Sequence, residues 1–164
     1  MKKIDISKLN NNIFNEFNKG WALLCAGNKD NHNAMTISWG QAGHLWHRNV
    51  CTVYVRPTRY TNEFIGNNDY FTVSFFKGAY RKELGYLGTV SGKDENKIEK
   101  SGLNILEIDN TIAFKEACYI LVCKKIYKDT INSNNFLDQS IDKEYPLQDY
   151  HEVYIGEIIE VYEK

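Results

Sequence analysis

Residues 50–56, VCTVYVR, alternate side chain by side chain, and this constrains the chain more than any other stretch. Cys51, Val53 and Val55 share one face, while Thr52, Tyr54 and Arg56 share the other, the two-residue period of a strand with one buried side. Pro57 has no N–H to give to a neighbouring strand, so the ladder must stop there. Similar runs recur: WALLCA at 21–26, AMTISW at 34–39, YFTVSFF at 70–76, CYILVCKKIY at 118–127 and VYIGEIIEVY at 153–162. Between them lie only short helical patterns, over 7–18, 61–66, 80–87 and 93–100, with no regular strand–helix alternation. Six or so strands arranged this way predict a barrel or sandwich and argue against a doubly wound sheet. No G-x-G-x-x-G bridges a strand and a helix and no P-loop sequence occurs, so a nucleotide would have to be held another way.

At 164 residues the chain has the length of one ordinary domain, and no repeat or low-complexity linker divides it, so 1–164 reads as a single domain. Aromatics at 13% favour strands. The net charge of −1 is wrong for a duplex-DNA binder, and nucleic acid is not an expected partner. That balance hides an asymmetry: no acid stands between Asp30 and Glu63, whereas the window holds Arg48, Arg56, Arg59, His32, His44 and His47. A locally positive region in a slightly acidic protein suits a small anion better than a polymer. Cys25, Cys51, Cys118 and Cys123 show no C-x-x-C spacing. The first residues do not show a charged-then-apolar pattern followed by a small-residue cleavage site, and no apolar run reaches membrane-spanning length, so neither a leader nor an anchor is expected. A cytoplasmic setting with free thiols and no membrane partner is the expectation.

His44, His47 and Cys51 form H-x-x-H-x-x-x-C, which lacks the further ligand a metal site needs, so no metal is expected. No G-x-S-x-G occurs, and a hydrolase is poorly supported. An anion socket has more behind it. With Thr61 as N-cap of a helix over 61–66, the free amides of 62–64 would face whatever precedes the helix, and Arg56 and Arg59 flank that spot. Arginine binds phosphate through a planar fork. A capped helix beside solvated arginines explains the same residues equally well. The stretch NAMTISWGQAGHLW, 33–46, adds an edge of backbone and hydroxyls beside tryptophans, able to hydrogen-bond a polar heteroaromatic ring.

Five segments, NAMTISWG, VYVRPTRYTNEFI, YFTVSFF, SGKDENKIEKSGL and HEVYIGEI, fall in the order and spacing of the flavin-reductase-like family, and the chain resembles its flavoredoxin-type members from about Trp21 to Val161. The resemblance implies a mainly β fold, a six-stranded Greek-key split β-barrel with a few short helices. It also implies a homodimer holding FMN near its interface. Transferred to this sequence, Met35, Thr36, Ile37, Ser38 and Trp39 would contact the isoalloxazine, with Thr36 and Ser38 using their side chains. Arg56, Pro57 and Arg59 would lie along the ribityl phosphate and Thr61 at the phosphate itself. Ser91, Gly92 and Lys97 would border the site. His151 would stand on the nicotinamide side, although its neighbours Tyr150 and Glu152 depart from the family's commoner small or hydroxylic residues. The implied activity is an FMN-dependent oxidoreductase of the flavin-reductase kind, with NADH or NADPH as hydride donor. The alternatives are an FMN-binding electron carrier reduced by a protein partner, and a barrel that binds single-stranded RNA.

Overall fold

The computed structural model describes residues 1–164, and in it the alternating run is strand β5, Arg48–Val55, ending two residues before Pro57. The other strands are β1 (Lys2–Ile4), β2 (Ala22–Gly27), β3 (His32–Ile37), β4 (Gly40–Leu45), β6 (Tyr70–Phe75), β7 (Ile105–Ile108), β8 (Thr111–Phe114), β9 (Tyr119–Thr130) and β10 (Glu152–Glu163). Helices are few and short: α1 (Ile13–Asn15, continued by a π turn Glu16–Gly20), α2 (Tyr60–Asn67), α3 (Arg81–Thr89) and α4 (Lys97–Ser101). None is long and apolar enough to cross a membrane.

One antiparallel sheet runs in the order β3-β2-β6-β9-β10-β5-β4, with β1 on β10; β7 and β8 form a separate hairpin. The mainly β, split-barrel expectation holds, but the main sheet has eight strands where six were expected. The additions have physical reasons. β1 is three residues long, too short for a period to show in sequence, and it forms by pairing with the end of β10. β4 reads GQAGHL, with two glycines and little apolar character, and its place comes from pairing with β5 through a turn at Trp46 and His47, both at positive φ.

The sheet curls around one core and wears a second on its outside. Leu24, Val53, Val55, Phe71, Val73, Phe75, Leu121, Tyr154 and Val161 come from five strands and pack together inside. Leu23, Cys25, Phe76, Leu84, Leu87, Ile112, Phe114 and Ile120 form the other cluster, where α3, α4 and the β7–β8 hairpin cover the outer face. β2 therefore buries both faces, which is why ALLCAG is apolar throughout rather than alternating. Gly156 of β10 stands where a Cβ would come within 2.6–2.7 Å of Phe71 and Cys123, so the strands close up only around a glycine.

The helix expected over 7–18 is instead a 3₁₀ turn at Ile6–Lys8 followed by α1, and the one expected over 93–100 is confined to α4, since Asn96 supplies the cap. Residues 131–150, between β9 and β10, contain only two 3₁₀ turns, Ser133–Asn135 and Gln139–Glu144.

Candidate functional site

β3 is an end strand, paired with β2 on one side only, so alternate backbone N–H and C=O groups along its other edge have no ladder partner. Against that edge lies an open cavity of about 160 Å³ lined by Met35, Thr36, Ile37, Ser38, Trp39, Tyr54, Arg56, Arg59 and His151. Eight of these nine residues were singled out in the sequence; the ninth, Tyr54, alternates onto the same face of β5 as Arg56. The break at Pro57 brings the two arginines here. β5 ends, a turn closed by Arg59 N–H to Arg56 O at 3.0 Å follows, and α2 begins.

That turn also moves the helix start. Arg59, not Thr61, occupies the N-cap position, in extended backbone and with no side-chain cap bond. Thr61 is the second residue of the helix, 1% exposed, and its hydroxyl accepts from Asn33 Nδ2 at 2.9 Å. Its side chain thus ties α2 to β3 beneath the cavity and is not among the lining residues. Pro57, Ser91, Gly92 and Lys97 are likewise outside the lining. The Ser91 hydroxyl accepts the Lys93 amide at 3.2 Å, and a Cβ on Gly92 would come within 2.5 Å of Asn33 Oδ1. Lys97 is 4% exposed, and its ammonium donates to the carbonyls of Leu87 and Val90, both at 2.9 Å. Burial, with Arg59 adding repulsion, lowers its pKa to about 8. Arg59 Nη1 donates to Gly88 O at 3.1 Å, so two cations hold the carbonyl end of α3, as the helix dipole favours. The Thr36 hydroxyl is also committed to α3, donating to Leu84 O at 2.5 Å.

The acid-free window does not leave a bare positive surface. Arg48 pairs with Glu157 at 2.5 Å and Arg56 with Asp149 at 2.5 Å, acids supplied by the last 34 residues. Arg56 Nη2 also donates to Glu144 O at 2.7 Å, and its guanidinium sits 5.0 Å from the centre of the Tyr145 ring. Arg59 has no carboxylate partner, so most of its fork is free. His44 is in β4 and His47 in the β4–β5 turn, their rings 6.5 Å apart, and no three His, Cys, Asp or Glu side chains gather as a metal set.

His151 is 7% exposed, packed 5.0 Å from the Trp39 ring and 6.5 Å from that of Tyr54. Burial, and then the Arg56 charge, lower its pKa to about 4 against a smaller opposing pull from Asp149, so the imidazole is neutral at pH 7. The same burial raises the Tyr54 phenol. Trp39, 43% exposed, forms the outer wall at the β3–β4 corner. Residues 131–150 also reach this site, through Tyr145 and Asp149. They had no periodic signal, and the cluster of Phe136, Tyr145, Tyr150 and Asp149 just before His151 is the hint they carried.

A curled antiparallel sheet with a cleft at an open strand edge, walled by aromatics and by Arg59, is the architecture of a small split-barrel protein. The sequence profile of the flavin reductase like domain matches residues 14–164, and the chain belongs to that family. Solved structures agree on the fold. An FMN-binding domain of a flavin reductases-like enzyme from Shewanella baltica is 21% identical, with a TM-score of 0.70 over 98% of this chain and 75% of that one. Flavoredoxin from Methanosarcina acetivorans is 27% identical, with a TM-score of 0.65 over 100% and 76%. An NADH:FAD oxidoreductase from Streptomyces globisporus, solved with NAD and FAD fragments, is 13% identical, with a TM-score of 0.68 over 93% and 79%. No curated protein matches the chain.

Proposed function

We propose that the cleft binds FMN and that the protein is an NADH- or NADPH-dependent flavin reductase. The observation that carries this is the open edge of β3 at Met35–Ile37, whose unpaired donors and acceptors alternate and lead on to Ser38 and Trp39. A ring system with both carbonyls and ring nitrogens can satisfy such an edge; a purely apolar ligand would leave it wet and unpaired. When bound, FMN would accept hydride from the nicotinamide and release electrons to an acceptor. The chain's own part is to hold and orient. The β3 edge and Ser38 meet the ring. Arg59, beside the first turn of α2, meets the phosphate. His151 and Trp39 line the end of the cleft left for the nicotinamide. No side chain needs to move a proton for hydride transfer, which matches a site whose one histidine is held neutral.

At about 160 Å³ the cleft is smaller than the roughly 300–1,000 Å³ usual for ligand pockets, in keeping with a site that a second copy completes. An adjoining groove along Phe14, Phe17, Trp39 and Ala42 shares Ser38 and Trp39 with the cleft and continues its apolar wall. The homodimer is thus part of the proposal. So is the cytoplasmic setting, in keeping with four free thiols.

The test is a visible spectrum of the purified protein, followed by anaerobic addition of NADH or NADPH. A bound flavin that either nucleotide bleaches within the mixing time supports the reading. No flavin uptake on reconstitution with FMN sinks it. A bound flavin that neither nucleotide reduces moves the protein to the second reading, an electron carrier filled by a protein partner, which the flavoredoxin likeness favours.

A further inference from the structure

Arg56, expected to face the phosphate, has both terminal nitrogens engaged by residues 131–150, and this changes what it does. Nη1 is held by Asp149, Nη2 by Glu144 O, and the guanidinium covers the Tyr145 ring. Phe136, 6.2 Å away and nearly parallel, and Tyr150, at 4.8 Å, confine that ring further. Thus fixed, the Tyr145 hydroxyl meets His151 Nδ1 at 2.8 Å.

The direction of that hydrogen bond follows from what is left over. Tyr145 is buried, and its hydroxyl has no other partner in the chain. If His151 donated from Nδ1, the phenolic proton would be stranded without an acceptor, at the full desolvation cost of a buried donor. If Tyr145 donates, both groups are satisfied and the imidazole proton must reside on Nε2. Nε2 has no partner in the protein and is not among the polar atoms sealed from solvent without one. Since His151 lines the cleft, Nε2 is the nitrogen left for a ligand.

We infer that Tyr145, clamped by Arg56, is a positioning residue that locks His151 as the Nε2–H tautomer, presenting a neutral donor to an uncharged carbonyl or carboxamide oxygen in the cleft. The ligand class rests on the flavin-reductase reading; the tautomer does not. The charged and titratable groups around the ring are Arg56, Arg59, Asp149, Tyr54 and Tyr145, and none of these offers Nδ1 a better partner than the phenol.

Long-range proton–nitrogen NMR of the histidines in the purified protein at pH 7, with or without flavin, reads the tautomer directly. The expected result is Nε2–H for His151 in the wild type and a mixture of tautomers in Tyr145→Phe. Nδ1–H in the wild type, or an unchanged spectrum in Tyr145→Phe, overturns the inference. Should Tyr145→Phe fail to fold, the wild-type spectrum alone decides. For activity, Tyr145→Phe is expected to slow nicotinamide-driven flavin reduction by about threefold to tenfold, the worth of one ordinary hydrogen bond. In a His151→Gln background, where an amide donor needs no tautomer, Tyr145→Phe is expected to cost nothing further. The same loss in both backgrounds would mean that Tyr145 acts by packing alone. A protein that takes up no flavin yet shows Nε2–H keeps the tautomer and loses the function proposed above.

Discussion

Replacing Arg59 separates a phosphate socket from a merely capped helix. Arg59 is exposed, reaches one backbone oxygen at 3.1 Å and has no carboxylate partner, whereas Arg56 is paired at 2.5 Å and half-buried. In Arg59→Ala the fold should survive, because only one solvent-facing contact to α3 is lost while Lys97 still holds Leu87 and Val90. A hydrogen bond to a charged group is worth about 1.5–3 kcal/mol, or roughly a 10- to 150-fold change in affinity. Exposure puts the expectation at the lower end, about tenfold. The assay is quenching of flavin fluorescence, titrated in parallel with FMN and riboflavin at low and high salt. FMN should weaken about tenfold at low salt and less at high salt, while riboflavin changes by less than about twofold. Equal losses for the two flavins would refute the socket, since only one of them carries the phosphate.

Three further changes test the surroundings. Gly156→Ala should cost about 1–3 kcal/mol in urea unfolding, because the added methyl meets Phe71 and Cys123 at 2.6–2.7 Å; an unchanged midpoint would mean that β9 and β10 part freely. His151 has its pKa lowered to about 4 from 6.5, so between those values the unfolded chain binds more protons and wild-type stability rises with pH. His151→Gln should flatten that limb, read as the unfolding midpoint at pH 4, 5 and 6.5. Lys97 is lowered to about 8 from 10.5, so wild type should gain on Lys97→Met as pH climbs from 8 to 10.5; a constant difference would show that the ammonium is not buried at a cost.

What could be read in the sequence, and what could not, divides along range. The VCTVYVR period, the stop at Pro57 and the MTISW edge are local, and together with the family resemblance, which alone pointed to His151, they named eight of the nine cleft residues. Thr61 looked like a cap because hydroxyls before helices usually are, but a turn closed by Arg56 and Arg59 starts α2 earlier and sends Thr61 inward to Asn33. Arg56 looked like a ligand for an anion, and the resemblance put Lys97 at the border of the site. Each is answered from within the chain, by carbonyls of α3 and by Asp149 and Glu144, partners 7 to 93 residues away that no local pattern reveals. The role of Tyr145 was hidden for the same reason: beyond an aromatic cluster before His151, its stretch has no period, and it acts through a hydrogen bond.

β10 lies between β9 and β5, yet it follows both of them in the sequence. The final 34 residues carry eight acids and two bases, a net −6, which leaves the first 130 with +5 inside an overall −1. A chain halted at Thr130 would carry +5, with a gap through the middle of its sheet, the facing edges of β9 and β5 unpaired and Arg48 without its counter-charge. Such a fragment is expected to stick to polyanions and to other copies of itself, whereas residues 1–164 together carry only −1. The segment that completes the barrel thus also cancels the charge carried by the rest of residues 1–164.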